Sequence, residues 1–234
     1  MTIIETENLT KTYKLGKVET HAIENINLKI EEGEIVVILG PSGSGKTTLL
    51  NILSGLDKRT SGKIFYNGKD ISKYKDAKMT RFRKKNLGFI FQTYNLLEHL
   101  NVEENILVGK KLGNRKTDIK EIMKTVGLSR HAKKSMYQLS GGEQQRVSIA
   151  RALAKNPKVM FCDEPTGALD EKTGKVVLSS LVEANQKFNT TMIIITHNPG
   201  IAYIGDRVLR MNSGHIIKEE KNESRMDPKE IPWG

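Results

Sequence analysis

Gly40-Pro41-Ser42-Gly43-Ser44-Gly45-Lys46-Thr47 follows directly on the apolar run Ile35-Val36-Val37-Ile38-Leu39. Glycines at these positions let the backbone curl so that successive N–H groups point inward, and a helix starting at the end of the curl adds its positive end. Such a concavity binds phosphate. In this P-loop pattern Lys46 reaches the outer phosphates of a nucleotide, and the Thr47 hydroxyl can ligate Mg²⁺. Gly40, Ser42, Gly43, Ser44, Gly45, Lys46, Thr47 and Thr48 are therefore the candidate nucleotide ligands.

Two further constellations carry chemistry. Asp163-Glu164 ends the apolar run Val159 to Cys162, which places two carboxylates at the carboxyl end of a strand expected beside the P-loop strand. There Asp163 can hold the hydration shell of a cation while Glu164 polarises an attacking water. The second is Leu139-Ser140-Gly141-Gly142-Glu143. Ser140 with Glu143 three residues later is a capping box that opens a helix, and the glycines leave its N-terminus free of side chains, an anion site without a loop of its own.

These elements must sit on a framework, and the apolar pattern supplies one. The runs at 35–39, 87–91, 159–162 and 192–195 are nearly continuous, as strands buried on both faces of a parallel sheet are. Val177, Leu178, Leu181, Val182 and Ala184 make one stripe of a helix over 173–187, and 142–155 reads as another ended by Asn156-Pro157. In the first third, Ile26, Leu28 and Ile30 alternate with polar residues and Lys63 to Gly68 enters a turn, which predicts an antiparallel sheet. Helical patterns at 102–108 and 117–126 predict a helical subdomain over about 93–155. The whole is α/β: a P-loop NTPase core with a mainly parallel sheet, an antiparallel β subdomain and a helical subdomain. Residues 220–234 are polar enough to predict disorder, although Ile231-Pro232-Trp233 is a candidate docking peptide.

Composition excludes some classes. One cysteine, Cys162, cannot form an internal disulfide, and no apolar run approaches the ~20 residues needed to cross a bilayer. The opening Met1-Thr2-Ile3-Ile4-Glu5 has no signal-peptide pattern, which predicts a cytoplasmic chain. The net charge of +11 is compatible with nucleic acid, an anionic membrane or a basic solvated exterior; its densest cluster, Arg81 to Lys85, holds one aromatic, which favours the last.

With the P-loop, the acidic pair and Leu139-Ser140-Gly141-Gly142-Glu143 in this order, residues 1–219 resemble the ATP-binding cassette ATPases, with Glu143 where glutamine is usual in the signature. The resemblance implies an ATPase using ATP and Mg²⁺. It assigns Asp163 to the Walker B position and Glu164 to the catalytic base, and places Tyr13 against the adenine. It makes Gln92 the residue that touches Mg²⁺ and the attacking water, and His197, after the strand 192–196, the switch histidine that contacts the γ-phosphate and holds Glu164. Thr47, Gln92 and Asp163 are then the Mg²⁺ set, and Lys46, Gln92, Glu164 and His197 the catalytic one. His21, His99, His131 and His215 read as surface residues.

The resemblance also implies assembly. Ser140, Gly141, Gly142 and Glu143, with Asp170 after Ala168-Leu169, meet the nucleotide held by the opposite copy, so the expected unit is a head-to-tail homodimer or a pair with a paralogue, closed by ATP. Within the family, Thr12-Tyr13-Lys14-Leu15-Gly16, Gly88-Phe89-Ile90-Phe91-Gln92 and Thr196-His197-Asn198-Pro199 are most similar to the macrolide-efflux, lipoprotein-release and bacitracin-resistance group. That implies a chain held at the cytoplasmic face of the membrane by a separately encoded integral-membrane permease, which it drives for export or extraction of a peptide, drug or lipoprotein. The alternative is a regulatory clamp gating a signalling or cell-wall-hydrolase partner without moving cargo. No nucleic-acid partner is expected.

Overall fold

The computed structural model describes residues 1–113 and 117–233. Two long strands, β1 (Thr2–Leu15) and β2 (Val18–Glu31), pair antiparallel, and β4 (Ser61–Tyr66) and β5 (Lys69–Asp70) extend them into a sheet of order β2-β1-β4-β5. Ile23, Ile26, Leu28 and Ile30 point inward from β2 while the residues between them face out, the alternation of a sheet covered on one side.

The second sheet follows a different rule. β3 (Ile35–Leu39), β6 (Leu87–Ile90), β7 (Val159–Asp163), β8 (Thr191–Thr196) and β9 (Arg207–Asn212) run parallel, with β10 (His215–Lys221) antiparallel at one edge. Both faces are buried and their contents separate strictly by parity. Ile35, Val37, Met160, Cys162, Met192 and Ile194 face one core with the helices α3 (Val102–Leu112), α4 (Ile119–Thr125), α5 (Gly141–Leu153) and α6 (Glu171–Phe188). Val36, Ile38, Val159, Phe161, Ile193 and Ile195 face the other, shared with α1 (Lys46–Leu53) and the antiparallel sheet.

The strand order β10-β9-β3-β8-β7-β6 corrects one expectation. The strand bearing Asp163 does not lie beside the P-loop strand; β8 stands between them, paired with both. Apolar runs identify strands but carry no order. The insertion matters, because it sets the end of β8, with Thr196 and His197, between the phosphate loop and the acidic pair.

The basic cluster finds its element, and one other expectation changes. The basic cluster Arg81 to Lys85 lies on a helix, α2 (Asp76–Asn86), where Arg83, Lys84 and Lys85 occupy the last turn and complement the negative end of the helix. The segment after β10 is ordered rather than disordered: Arg225 donates to both carboxylate oxygens of Asp206, from Nε at 2.7 Å and from Nη2 at 2.6 Å, and Ile231 is 1% exposed. The reading from polarity failed because a few residues of this segment, Ile231 above all, dock it while the rest stay polar and exposed. Among the described residues no helix is long and apolar enough to cross a membrane.

Candidate active site

The carboxyl ends of β3, β7 and β8 open into one cleft of about 780 Å³. Gly45 ends the loop after β3 in a left-handed conformation (φ 98°) and starts α1 with no side-chain cap, so the first N–H groups of α1 have no intrahelical acceptor and face the loop. The Lys46 ammonium donates to the carbonyls of Gly40 (2.8 Å) and Pro41 (2.9 Å), which holds the loop closed around its own cation. The Ser44 hydroxyl is buried with no hydrogen-bond partner. A buried polar group is costly unless satisfied, so an unpaired hydroxyl in a loop beside a helix N-terminus fits a phosphate ligand.

Across the cleft, Glu164 sits at φ 47°, a conformation uncommon outside glycine that turns its side chain back over the end of β8. Its carboxylate is held at both oxygens. The Thr196 hydroxyl donates to Oε2 (3.0 Å) and His197 Nδ1 meets Oε1 at 2.9 Å. Glu164 is 17% exposed and His197 67%, so the carboxylate is shielded while the imidazole reaches into the cleft. Asp163 lies beside it, its carboxyl pushed above the ordinary aspartate value by burial and then by the neighbouring Glu164 charge, with Lys46 pulling the other way. The acidic pair is thus short of positive charge.

Ser42, Gly43, Ser44, Gly45, Lys46, Thr47, Thr48, Gln92, Asp163, Glu164 and His197 all line this cleft. Tyr13, Ser140, Gly141, Gly142, Glu143 and Asp170 do not. Tyr13 is 43% exposed, its hydroxyl donating to Asp57 (2.8 Å) with the Lys11 ammonium 4.6 Å from its ring centre. Asp170 caps α6 by accepting from the Thr173 N–H at 3.0 Å. The Ser140–Glu143 box is formed, with Glu143 accepting from the Ser140 N–H at 2.7 Å and donating its own N–H to the serine oxygen at 3.3 Å. Both glycines of that tip are crowded from within the chain: Gly141 faces the Tyr94 hydroxyl, and a Cβ on Gly142 would overlap the Thr173 methyl of α6.

That last contact gives a prediction. Gly142→Ala gains up to about 1 kcal/mol of helix propensity but forces an overlap costing about 1–3 kcal/mol, so the urea midpoint is expected to fall. Thr173→Ser, which removes the methyl, should restore it; a midpoint that does not move in Gly142→Ala refutes the contact.

Sequence reasoning missed several neighbours. Thr20, His21 and Ala22 of β2, and Ser213-Gly214 between β9 and β10, also line the cleft. They arrive by sheet packing, and only a tertiary contact could reveal them. His131 is not a simple surface residue: its Nε2 lies 2.9 Å from Glu143, behind the signature tip. Gln145 is fully buried and donates to the Pro165 carbonyl at 2.8 Å, tying α5 to the loop that follows Glu164.

A cassette family is recognised by such a phosphate loop, acidic pair and signature helix on one parallel sheet, and the family comparison agrees: residues 23–167 match the ABC transporter model. The chain belongs to the ABC transporter family. The putative ABC transporter ATP-binding protein MG065 homolog of Mycoplasma pneumoniae is 43% identical, over 99% of this chain and 50% of its own length. The chain thus spans about half of that relative. The bacitracin export ATP-binding protein BceA of Halalkalibacterium halodurans is 41% identical, over 96% of this chain and 92% of its own. Among solved structures, the dimeric ABC transporter cassette MJ0796 superposes with a TM-score of 0.84 at 40% identity, covering 94% of this chain and 98% of the other. A dimeric post-hydrolysis state of the same cassette, bound to ADP and Pi, gives 0.82 at 39% identity, with the same coverage.

Proposed function

We propose that this chain is an ATP-hydrolysing cassette that closes in pairs around ATP and drives a membrane permease. The observation that carries the reading is the doubly held Glu164 carboxylate in the same cleft as Lys46 and the N–H groups of α1. Lys46 and the loop bind the β- and γ-phosphates. Glu164 accepts a proton from a water whose oxygen bonds to the γ-phosphorus as the bond from that phosphorus to the β–γ bridging oxygen breaks, giving ADP and phosphate. Thr196 and His197 fix the carboxylate so that one lone pair faces the water, and the exposed imidazole is placed to reach the γ-phosphate.

Thr47, Gln92 and Asp163 would hold Mg²⁺. They fit it: all three offer oxygen donors to one cleft, and Asp163 is short of positive charge. An ion with few protein ligands that takes its remaining oxygens from phosphates and water matches this set. When bound it neutralises charge building on the phosphates.

The dimer is the reading for Ser140, Gly141, Gly142, Glu143 and Asp170, which lie outside the cleft of their own chain and need a second copy to meet nucleotide; the dimeric MJ0796 cassette supports it. Export fits the bacitracin-export relative. Peripheral attachment at the cytoplasmic face through the permease follows from the same reading, with residues 1–219 as the nucleotide-binding domain and about 93–155 as its helical subdomain. Co-purification from membranes tests it. A polytopic permease should accompany the chain and its cargo should raise ATP turnover; ATPase activity with no membrane protein retained overturns the transport role.

A further inference from the structure

The segment after β10 returns to the back of the active site and is fastened there along its length. Asn222 donates to the carbonyls of Ala202 (2.9 Å) and Gly205 (2.8 Å), its N–H reaches the Asp206 carbonyl (2.9 Å), and the Met226 N–H reaches that of Tyr203 (2.9 Å). These acceptors belong to the 3₁₀ turn Pro199–Ile204 and the link after it, the stretch directly following His197. The last carbonyls of a helix are short of intrahelical donors, and this segment supplies one to Tyr203 and a second to Ala202, which already accepts the Gly205 N–H. Arg225 adds the Asp206 pair and a contact to Asn185 of α6 at 2.6 Å.

The far end docks through two glycines. A Cβ on Gly200 would overlap the Pro232 carbonyl oxygen, and a Cβ on Gly174 of α6 would overlap the Trp233 indole. Ile231 between them is buried in the same core as Ile201, Ile204 and Leu181. Both docking points stand one short step from the chemistry. From Gly200 the path runs through hydrogen bonds alone: its N–H donates to the Asn198 side chain (2.8 Å), the Asn198 N–H to the Thr196 hydroxyl (3.1 Å), and that hydroxyl to Glu164 (3.0 Å). From Gly174 the path is steric, since the preceding residue Thr173 abuts Gly142 of the signature tip and takes the Asp170 cap.

We propose that residues 222–233 are a strap that positions His197 and Glu164 on one side and the signature tip with Asp170 on the other, so that the two halves of the composite site are aligned by a single element. Asn222 and Trp233 are its positioning residues. The proposal rests on the hydrolytic reading of Glu164 and His197 above. It goes beyond that reading because the strap touches neither the cleft nor the tip, yet backs both.

Asn222→Ala and Trp233→Ala test it in the full chain, below their melting temperatures as followed by circular dichroism. Each should lower kcat about five- to tenfold with the KM for ATP within about twofold, because misplacing a reacting group costs rate rather than binding. Trp233→Phe, which refills most of the seat against Gly174, should recover most of the rate. In a His197→Ala background, Asn222→Ala should cost little more, since its partners Ala202 and Gly205 follow His197 and residues acting through one another are not additive. Trp233 is the single tryptophan of the chain, so a red shift of its emission in Asn222→Ala reports a loosened strap directly. Native kcat in a folded variant whose emission has shifted, or a loss that adds in full to that of His197→Ala, would overturn the strap. Native turnover in His197→Ala alone would instead overturn the hydrolytic reading beneath it, so the two failures are told apart.

Discussion

Glu164→Gln is expected to bind ATP as the native chain does, to lose at least about 10²-fold in turnover, and to elute as a dimer in ATP. The amide keeps the shape of the carboxylate and can still accept at one oxygen from Thr196 (3.0 Å) or His197 (2.9 Å), so the local structure survives. What it cannot do is take a proton from water. With the γ-phosphate uncleaved, the bridge between the phosphate loop of one copy and the signature tip of the other persists, and binding that occurs only in the closed pair shifts the population toward it. Phosphate release and size-exclusion chromatography with and without ATP are the readouts. A variant that stays monomeric at saturating ATP contradicts the shared site, and one that still turns over contradicts Glu164 as the base.

Lys46→Ala should fail earlier, at binding. Its ammonium is buried and satisfied only by the carbonyls of Gly40 and Pro41, acceptors it can trade for phosphate oxygens at little cost in hydration. Losing charge-assisted bonds of about 1.5–3 kcal/mol each implies an affinity for ATP roughly 100-fold weaker by calorimetry. The carbonyls left behind also lose their donor, so the loop itself loosens. Unchanged affinity would remove the phosphate assignment altogether.

The contrast between these two variants shows which parts of the site are local and which are assembled. The loop 40–47 was readable in sequence because its chemistry depends on adjacent backbone, and the strands were readable because burial on both faces leaves Ile35 to Leu39 or Thr191 to Thr196 with no polar face to show. Contacts made by topology were not. That β8 separates β3 from β7, that Thr196 holds Glu164, and that Thr20 to Ala22 line the cleft all depend on strand order, which side-chain pattern does not encode. Gly174 and Gly200 read as ordinary small residues until the partners that need the space, Trp233 and Pro232, are known. His131 and Gln145 are similar: one polar side chain in a helical or loop pattern gives no sign of the backbone or carboxylate it will meet.

The ordering of the site also explains why one copy is incomplete. Ser140 stands exposed at the tip of α5, its oxygen accepting the Glu143 N–H at 3.3 Å, a long bond that leaves a lone pair free. Ser140, Gly141, Gly142 and Glu143 do not line the cleft of their own chain. The proposed hydrolysis would bring a second copy's surface opposite the first.

A crystal structure of Glu164→Gln with Mg²⁺ and ATP measures this most directly. The account predicts a head-to-tail pair in which Ser140 of each copy lies about 3 Å from the γ-phosphate bound on the phosphate loop of the other. A nucleotide-saturated protein in which Ser140 stays in solvent, remote from any phosphate, would contradict it.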